Sequence, residues 1–158
     1  MTKITDLEEL LRSDDINGSI IKIDNFISEL CKYGDELENL TEQQKFYFFN
    51  QTLEREVNNG GFDQYFTNSG ASYAEETIVS LHAIAANKTA DILKRAIALV
   101  LQLIDKGEEV ELEVWDELDN EFLNYQDDLN ALNIEFVRNN KEFFWPELQE
   151  VEQSNSDR

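Results

Sequence analysis

The chain has few of the residues that interrupt or cross-link a fold. Its 158 residues include one proline, six glycines and one cysteine. So few turn-forming residues favour long helices over a β fold with many turns. The single cysteine excludes an intramolecular disulfide and is typical of a reducing compartment. The composition therefore indicates an all-α protein, which we expect in the cytoplasm.

Long apolar segments are also missing. The longest uninterrupted apolar run, residues 96–101, is far shorter than the roughly 20 residues that cross a bilayer. Residues 1–12 mix charged side chains with leucines, unlike the apolar segment of a secretion signal. We therefore expect neither membrane insertion nor export. With 41% hydrophobic residues, the chain has enough apolar surface for one buried core.

Positive charge is scarce, because 13 Lys and Arg residues face 34 Asp and Glu residues, for a net charge of −21. Direct binding of nucleic acid or of an anionic membrane needs a cationic surface, which this composition argues against. A basic protein partner remains compatible with it. The same excess of acid also serves solubility alone, and composition does not separate these two explanations.

The sequence offers no recognisable catalytic or metal-binding set. Its one histidine, His82, has no matched Cys or His with which to build a zinc site. The glycine pair at residues 60–61 lacks the lysine of a P-loop and the third glycine of a dinucleotide-binding motif. Glu54 and Glu56 lie two positions apart on a predicted helix and so point in different directions. We expect no enzyme activity, no metal and no cofactor.

Capping patterns and apolar periodicity predict the helices. Three pairs match the capping box, in which a Ser or Thr precedes a Glu or Gln by three residues: Thr5 and Glu8, Thr41 and Gln44, and Ser72 and Glu75. Asp128 can cap the last long helix. Residues 89–105 are apolar around most of the helix, which is typical of a position at the centre of a bundle. The sequence therefore predicts one all-α domain over residues 1–146, with about seven or eight helices around the central helix 89–105. We expect the polar tail, residues 147–158, to be frayed.

The most distinctive stretch is residues 54–70. Gly60 and Gly61 follow an amphipathic run and can take the positive φ that ends a helix. Phe62, Tyr65 and Phe66 then recur at helical spacing, so one short turn can point three rings the same way. We interpret the stretch as a structural joint rather than a catalytic loop. Its motif residues are Asn58, Asn59, Gly60, Gly61, Phe62, Gln64, Tyr65 and Phe66.

Between residues 105 and 128 the composition becomes strongly acidic. Eleven of these 24 residues are Asp or Glu, and Lys106 is the only base. Apolar residues nevertheless recur at helical spacing, which indicates a folded amphipathic segment. These residues are Trp115, Leu118, Phe122 and Tyr125.

The polar side of that segment sets Glu113, Glu117 and Glu121 in a row at positions i, i+4 and i+8. Like charges at this spacing destabilise a helix by about 0.2–0.5 kcal/mol per pair, and no lysine is interleaved to offset them. A solvated surface is the common explanation of such a row, and a partner-binding surface is the alternative. The candidate partner-binding face comprises Glu109, Glu113, Asp116, Glu117, Glu121, Asp127 and Asp128.

Residues 58–69 read Asn-Asn-Gly-Gly-Phe-x-Gln-Tyr-Phe-x-Asn-Ser, and Glu-x-Glu-Val precedes them. This string resembles the signature of a family of small bacterial all-α domains, most of them uncharacterised, that includes an acidic DNA-mimic protein. Weaker similarity at residues 118–122 and 127–129 extends the resemblance over residues 40–145. The resemblance implies an all-α fold, a basic protein partner such as a DNA-binding regulator, and a homodimer.

A DNA mimic is consistent with the acidic face. Side chains three or four positions apart on a helix lie about 5–6 Å from each other, and duplex DNA carries one phosphate charge per ~1.7 Å of axis. Rows of carboxylates can thus replace phosphates on a regulator's DNA-reading surface. Two alternatives stay open. One is an immunity or antitoxin protein that inhibits a basic toxin enzyme, and the other is a family member without mimicry.

Overall fold

The structure of the chain, a computed structural model, describes residues 6–68, 70–107 and 111–145, with backbone only at residues 70, 71 and 112. These residues form eight α-helices and no β-strand. The predicted all-α fold is therefore confirmed, with a helix count inside the predicted range. The predicted polar tail, residues 147–158, lies outside the described residues.

The helices are named in chain order. They are α1 (Leu7–Arg12), α2 (Ile16–Leu30), α3 (Glu42–Thr67), α4 (Gly70–Ala83), α5 (Asn87–Asp105), α6 (Asp116–Leu123), α7 (Leu129–Asn139) and α8 (Lys141–Phe144). Short 3-10 turns occur at Lys32–Gly34, Leu37–Asn39 and Leu112–Trp115. The last of these turns leads directly into α6.

Two of the predicted helix caps are confirmed. At the start of α3, the Gln44 N–H donates to Thr41 Oγ1 (3.2 Å), and the Thr41 N–H donates to Gln44 Oε1 (2.9 Å). This is the reciprocal capping box that the sequence predicts. At the start of α7, Asp128 Oδ1 accepts a hydrogen bond from the Ala131 N–H (3.1 Å).

Two other predicted caps need correction. Helix α4 begins at Gly70 and is kinked at Tyr73 (φ −137°, ψ 29°), so Ser72 lies in the turn before the kink and is not the cap at the start of the helix. Thr5 is outside the described residues, and the cap of α1 is Asp6, whose carboxylate accepts from the Glu9 N–H (3.0 Å). A helix start can be moved by one or two residues because several neighbouring polar side chains are able to cap it.

The helix at the centre of the bundle is α3, whereas the sequence predicted α5. Helix α3 packs against α2, α4, α6 and α8, while the main contacts of α5 are with α4 and α6. The first half of α5 is buried, but Leu101 and Ile104 in its second half are 54% and 66% exposed. With 19 residues against 14 in α4, α5 extends beyond the helix that covers it.

The hydrophobic core has two parts that meet along α3. One part joins the second half of α3 to α4, α5 and the segment that contains Trp115 and Phe122. The other part joins the first half of α3 to α1, α2, α7 and α8. Both parts depend on α3, so the break in α3 described next determines how the acidic segment is placed.

Candidate functional site

The glycine motif is a break inside α3. Gly60 (φ −157°, ψ 21°) and Gly61 (φ 69°, ψ −172°) both leave helical geometry, and the helix resumes after them. The conformation of Gly61 lies in a region that is essentially restricted to glycine. On α6, Asp119 Oδ1 accepts a hydrogen bond from the Phe62 N–H (2.9 Å). The break is therefore anchored to the acidic helix through Asp119.

The three rings that follow the break all enter the core. Phe62 and Tyr65 are fully buried, and Phe66 is partly buried against the same cluster. Phe66 stacks on Trp115 with a centroid distance of 5.5 Å, and Phe62 contacts Phe122 edge to face at 5.9 Å. Trp115 and Phe122 belong to the acidic segment. The motif and the acidic segment thus form one packed unit.

The polar side chains of the motif bond mainly to one another. Asn59 Nδ2 donates to Gln64 Oε1 across the break (3.1 Å), and Gln64 Nε2 donates to Glu56 Oε2 (2.8 Å). Glu56 Oε2 also accepts from Asn68 Nδ2 (2.9 Å). Because these bonds connect the helix before the break to the turn after it, they fix the angle between the two parts of α3.

A second polar cluster connects α3 to the loop between α6 and α7. Asn58 Nδ2 donates to the Tyr125 hydroxyl (2.7 Å), and that hydroxyl donates to Glu54 Oε1 (3.0 Å). The other carboxylate oxygen, Glu54 Oε2, is buried without a donor among the described residues. Tyr125 has a φ of 48°, which is rare for a residue other than glycine. Asn58 and Glu54 thus hold the end of the acidic helix.

Burial raises the pKa of Glu54, and the carboxylates of Asp24 and Asp128 raise it further, while the Tyr125 hydroxyl opposes them. The pKa of Glu54 is higher in the folded chain than its ordinary value of roughly 4.3, so protonation of Glu54 stabilises the fold. This stabilisation is fully present at a pH below that ordinary value. It is lost as the pH rises through the folded pKa. Ionising Glu54 in the folded chain therefore lowers the free energy of unfolding.

We predict that Glu54→Gln raises the free energy of unfolding at pH 7 by about 1–2 kcal/mol, because the neutral side chain avoids a buried, incompletely paired charge. The gain should shrink as the pH falls toward 4.5. Urea unfolding at several pH values measures both effects. Glu117→Gln is the matched control, since it removes one exposed carboxylate. Equal effects of the two substitutions at every pH would contradict the prediction.

The predicted row of three glutamates is not one straight row. Glu113 lies in the 3-10 turn Leu112–Trp115, whereas Glu117 and Glu121 lie on α6. A 3-10 turn has three residues per turn, so a spacing of four no longer aligns Glu113 with the other two. Glu109 lies outside the described residues.

Glu121 is already occupied by an intramolecular partner. Its carboxylate forms a two-point ion pair with Arg95 of α5, in which Arg95 Nη1 donates to Glu121 Oε1 (3.0 Å). The Glu121 side chain is 28% exposed, and the hydrogen bond from Arg95 lowers its pKa. Bidentate pairing of this kind is the geometry that Arg and carboxylate prefer. Glu121 therefore fixes α6 against α5 and offers little free charge to a partner.

Asp127 and Asp128 serve as helix caps. Asp127 Oδ2 accepts from the backbone N–H of Thr89 (2.7 Å) and from the Thr89 hydroxyl (2.9 Å). These bonds cap α5, whose own N-cap residue, Ala86, has no side-chain acceptor. Asp128 caps α7 as predicted.

The side chains of three of the seven candidate residues remain exposed and make no hydrogen bond or ion pair with the part of the chain that the structure describes. We call these three residues, Glu113, Asp116 and Glu117, the open acidic face. Negative charge continues from there across the break in α3. Burial is the main cause of the raised pKa of Asp119, and the carboxylates of Asp116 and Asp63, which lie near that of Asp119, both add to it.

Sequence reasoning missed the role of Asp119. Its hydrogen bond to Phe62 joins residues 57 positions apart, and no local pattern indicates such a contact. The similarity of residues 118–122 to the family signature was the one available signal. Tyr125 was recognised only as part of an apolar stripe, while its hydroxyl contacts Glu54 over 71 positions.

In the described ranges, no group of three or more His, Cys, Asp or Glu side chains could hold a metal ion. None of the helices in this part of the chain is long and apolar enough to cross a membrane.

Comparison with known proteins gives one family. A family model described as DMP19-like protein matches residues 38–140, well over half of the chain. The matched range includes the glycine break, the Glu54–Tyr125 cluster and the open acidic face. No curated protein and no solved structure matches the chain.

Proposed function

We propose that this chain is a DNA mimic, an acidic module that occupies the basic DNA-binding surface of a transcription regulator. The chain belongs to the DMP19-like protein family, and this membership supports the proposal. The observation that carries the proposal is the open acidic face. Its three carboxylates have no partner among the described residues, although acids beside them are used for capping and ion pairing. A chain with a net charge of −21 presents them to a cationic surface.

The face is held rigidly, which a mimic of a stiff duplex requires. Helix α6 is fixed to α3 by the Asp119–Phe62 hydrogen bond and to α5 by the Arg95–Glu121 ion pair. Trp115 and Phe122 anchor its apolar side in the core. Such preorganisation supports tight binding because little conformational freedom is lost when the partner arrives.

The spacing of the charges also supports the proposal. Glu113 lies in the 3-10 turn three residues before Asp116, and residues three apart in such a turn lie on one face. Asp116 and Glu117 are consecutive at the start of α6, so a phosphate-binding set of Lys and Arg side chains can meet more than one of the three carboxylates. Asp63 extends the negative surface across the glycine break.

Three further expectations remain predictions. The homodimer is implied by the family resemblance, and the uncharged residues 96–104 of α5, where Leu101 and Ile104 are exposed, provide a surface on which two acidic chains can meet. The absence of enzyme activity and the cytoplasmic location are the other two.

Affinity capture followed by competition tests the proposed function. The purified chain is immobilised, exposed to lysate of its native organism at about 50 mM salt, and eluted with salt. We expect to capture a basic, DNA-binding regulator. In a gel-shift assay, the free chain should then disrupt the complex of this regulator with its own operator. Raising the salt to 200 mM should weaken the protein complex severalfold or more, because exposed charges are screened over about 8 Å at 0.15 M.

The identity of the captured protein decides between functions. A partner that binds no DNA contradicts mimicry. If that partner is a basic toxin enzyme that the chain inhibits, the immunity function replaces mimicry as the best explanation. Mimicry is equally contradicted if the regulator binds its operator and the chain at the same time.

A further inference from the structure

The loop that joins α2 to α3 has an unusual backbone. Lys32 (φ 48°), Tyr33 (φ 57°) and Gly34 (φ 103°) follow one another with positive φ, and two of the three are not glycine. Left-handed backbone is unfavourable for both of these side chains, and Asn or Gly is the usual residue there. The strained residues hold the Tyr33 side chain in solvent, where it is 77% exposed, more than any other large apolar side chain of the described residues.

The loop is held in this shape by several hydrogen bonds. The Glu36 N–H donates to the Cys31 carbonyl (2.9 Å). Asn39 Nδ2 donates both to Glu36 Oε2 (2.8 Å) and to the Leu30 carbonyl (3.0 Å). These bonds fix the loop but make no use of the Tyr33 ring. The fold thus supports a strained backbone without gaining packing from the side chain that it exposes.

The charge around Tyr33 is negative. Lys32 is the one cation between residues 23 and 44, and its ammonium group pairs with Glu36 and also lies in the field of Asp35 and Glu38. The side chains of Asp35 and Glu38 are exposed and form no hydrogen bond or ion pair with the described residues. An exposed ring and two unpaired carboxylates within five positions of it in the same loop are complementary to a guanidinium group, which stacks on aromatic faces and pairs with carboxylates.

We propose that residues 32–38 form a docking site for an arginine side chain of the basic protein partner. The guanidinium stacks on the Tyr33 ring and pairs with Asp35 or Glu38. This inference takes one point from the proposed function, namely that the partner is positively charged. The site and the open acidic face lie toward opposite ends of the straight part of α3, whose residues 42–59 span about 27 Å at 1.5 Å per residue. The partner is then held at two separate points.

A titration followed by NMR tests this site without any knowledge of the partner. The full chain, labelled with 15N, is titrated at 150 mM salt with the peptide Ac-Arg-Gly-Arg-Gly-Arg-NH2 and with its lysine counterpart. We expect the arginine peptide to shift the amides of residues 32–38 and to bind there up to about fivefold more tightly than the lysine peptide, because both cations contact a ring but only the planar guanidinium also stacks on it. Tyr33→Ser should remove this preference, and Tyr33→Phe should keep it.

Matched variants separate the site from general attraction to an acidic protein. Asp35→Asn/Glu38→Gln should weaken binding at the loop, whereas Glu75→Gln/Glu76→Gln, which removes two exposed carboxylates from α4, should not. Tyr33→Gly should make the chain more resistant to urea, because glycine tolerates positive φ. Equal binding of the two peptides, shifts spread over the whole acidic surface, or an unchanged preference in Tyr33→Ser would each overturn the proposal.

The docking site and the proposed function can fail separately. If the arginine peptide binds the loop but the captured protein binds no DNA, the docking site stands and mimicry fails. If the captured regulator competes with its operator and Tyr33→Ser changes neither its affinity nor the peptide titration, mimicry stands and the docking site fails.

Discussion

Gly61→Ala is expected to lower the free energy of unfolding by about 2–4 kcal/mol, the sum of a backbone and a steric cost. The φ of 69° with a ψ of −172° is a conformation that alanine strongly disfavours. In addition, a Cβ at this position would lie 2.4 Å from Asp119 Oδ2. The carboxylate cannot simply move away, because its other oxygen accepts the Phe62 N–H. Urea unfolding followed by circular dichroism measures the loss.

Two other glycines provide controls for the two costs. Gly107 also has positive φ (66°), but no atom lies within 4 Å of a Cβ built on it. Gly107→Ala should therefore report the cost of a positive φ without a steric clash, about 1–2 kcal/mol. Gly60 has an extended φ, and its added Cβ would meet mainly the Gln64 side chain. We expect Gly60→Ala to cost less than Gly61→Ala, because the φ of Gly60 is negative and adds no left-handed backbone cost.

A double-mutant cycle isolates the contact with α6. If the steric cost arises at Asp119, combining Gly61→Ala with Asp119→Ala should cost less than the sum of the two single losses. Additive losses, or a Gly61→Ala variant no less stable than Gly107→Ala, would show that α6 does not press on the break. If Gly60→Val and Gly61→Val were both as stable as wild type but no longer bound the partner, the break would instead be a contact surface.

Reversing the open acidic face is expected to remove partner binding. The variant Glu113→Lys/Asp116→Lys/Glu117→Lys should bind the captured regulator at least about 100-fold more weakly, because three attractive contacts become repulsive ones. The same variant should no longer compete with the operator. Its fold should survive, since all three side chains are exposed and without partners in the described part of the chain. Binding is measured by fluorescence anisotropy and competition by gel shift.

The choice of residues follows from the structure. Glu121→Lys is excluded because it would place an ammonium group against Arg95 and disturb the packing of α6 on α5. The control variant Glu75→Lys/Glu76→Lys/Asp105→Lys produces the same change in net charge on exposed residues elsewhere. We expect it to bind within a few fold of wild type. Full competition by the first variant, or equal loss in both, would rule out the open acidic face as the binding surface.

Local features were predictable from the sequence. The all-α fold, the capping box of Thr41 and Gln44, the cap at Asp128 and the glycine break depend on residues within a few positions of one another. Helical periodicity and capping involve residues within about one turn of each other, so the residues responsible lie close together in the sequence. The predicted cap at Thr5 placed the start of α1 one residue too early, and the predicted cap at Ser72 placed the start of α4 three residues too late.

The position of α5 could not be predicted in the same way. Its apolar circumference correctly indicated burial of its first half. Apolarity does not say which neighbours cover a helix, however, and α4 is too short to cover the turns that carry Leu101 and Ile104. The central helix of a bundle is the one that contacts the largest number of other helices. These contacts exist only in the folded chain and cannot be seen in the sequence of one helix.

The sequence by itself determined that the protein is helical, strongly acidic and broken at Gly60 and Gly61. Only the tertiary structure decided which acids are free. Glu121 meets Arg95 over 26 positions, and Asp127 caps α5 over 38 positions, so neither charge is available in the way that the sequence suggested. The physical reason is that a carboxylate takes the nearest cation or N–H group in space, and folding brings these groups from distant parts of the chain. Glu113, Asp116 and Glu117 stay open because folding brings no such group of the described residues to them.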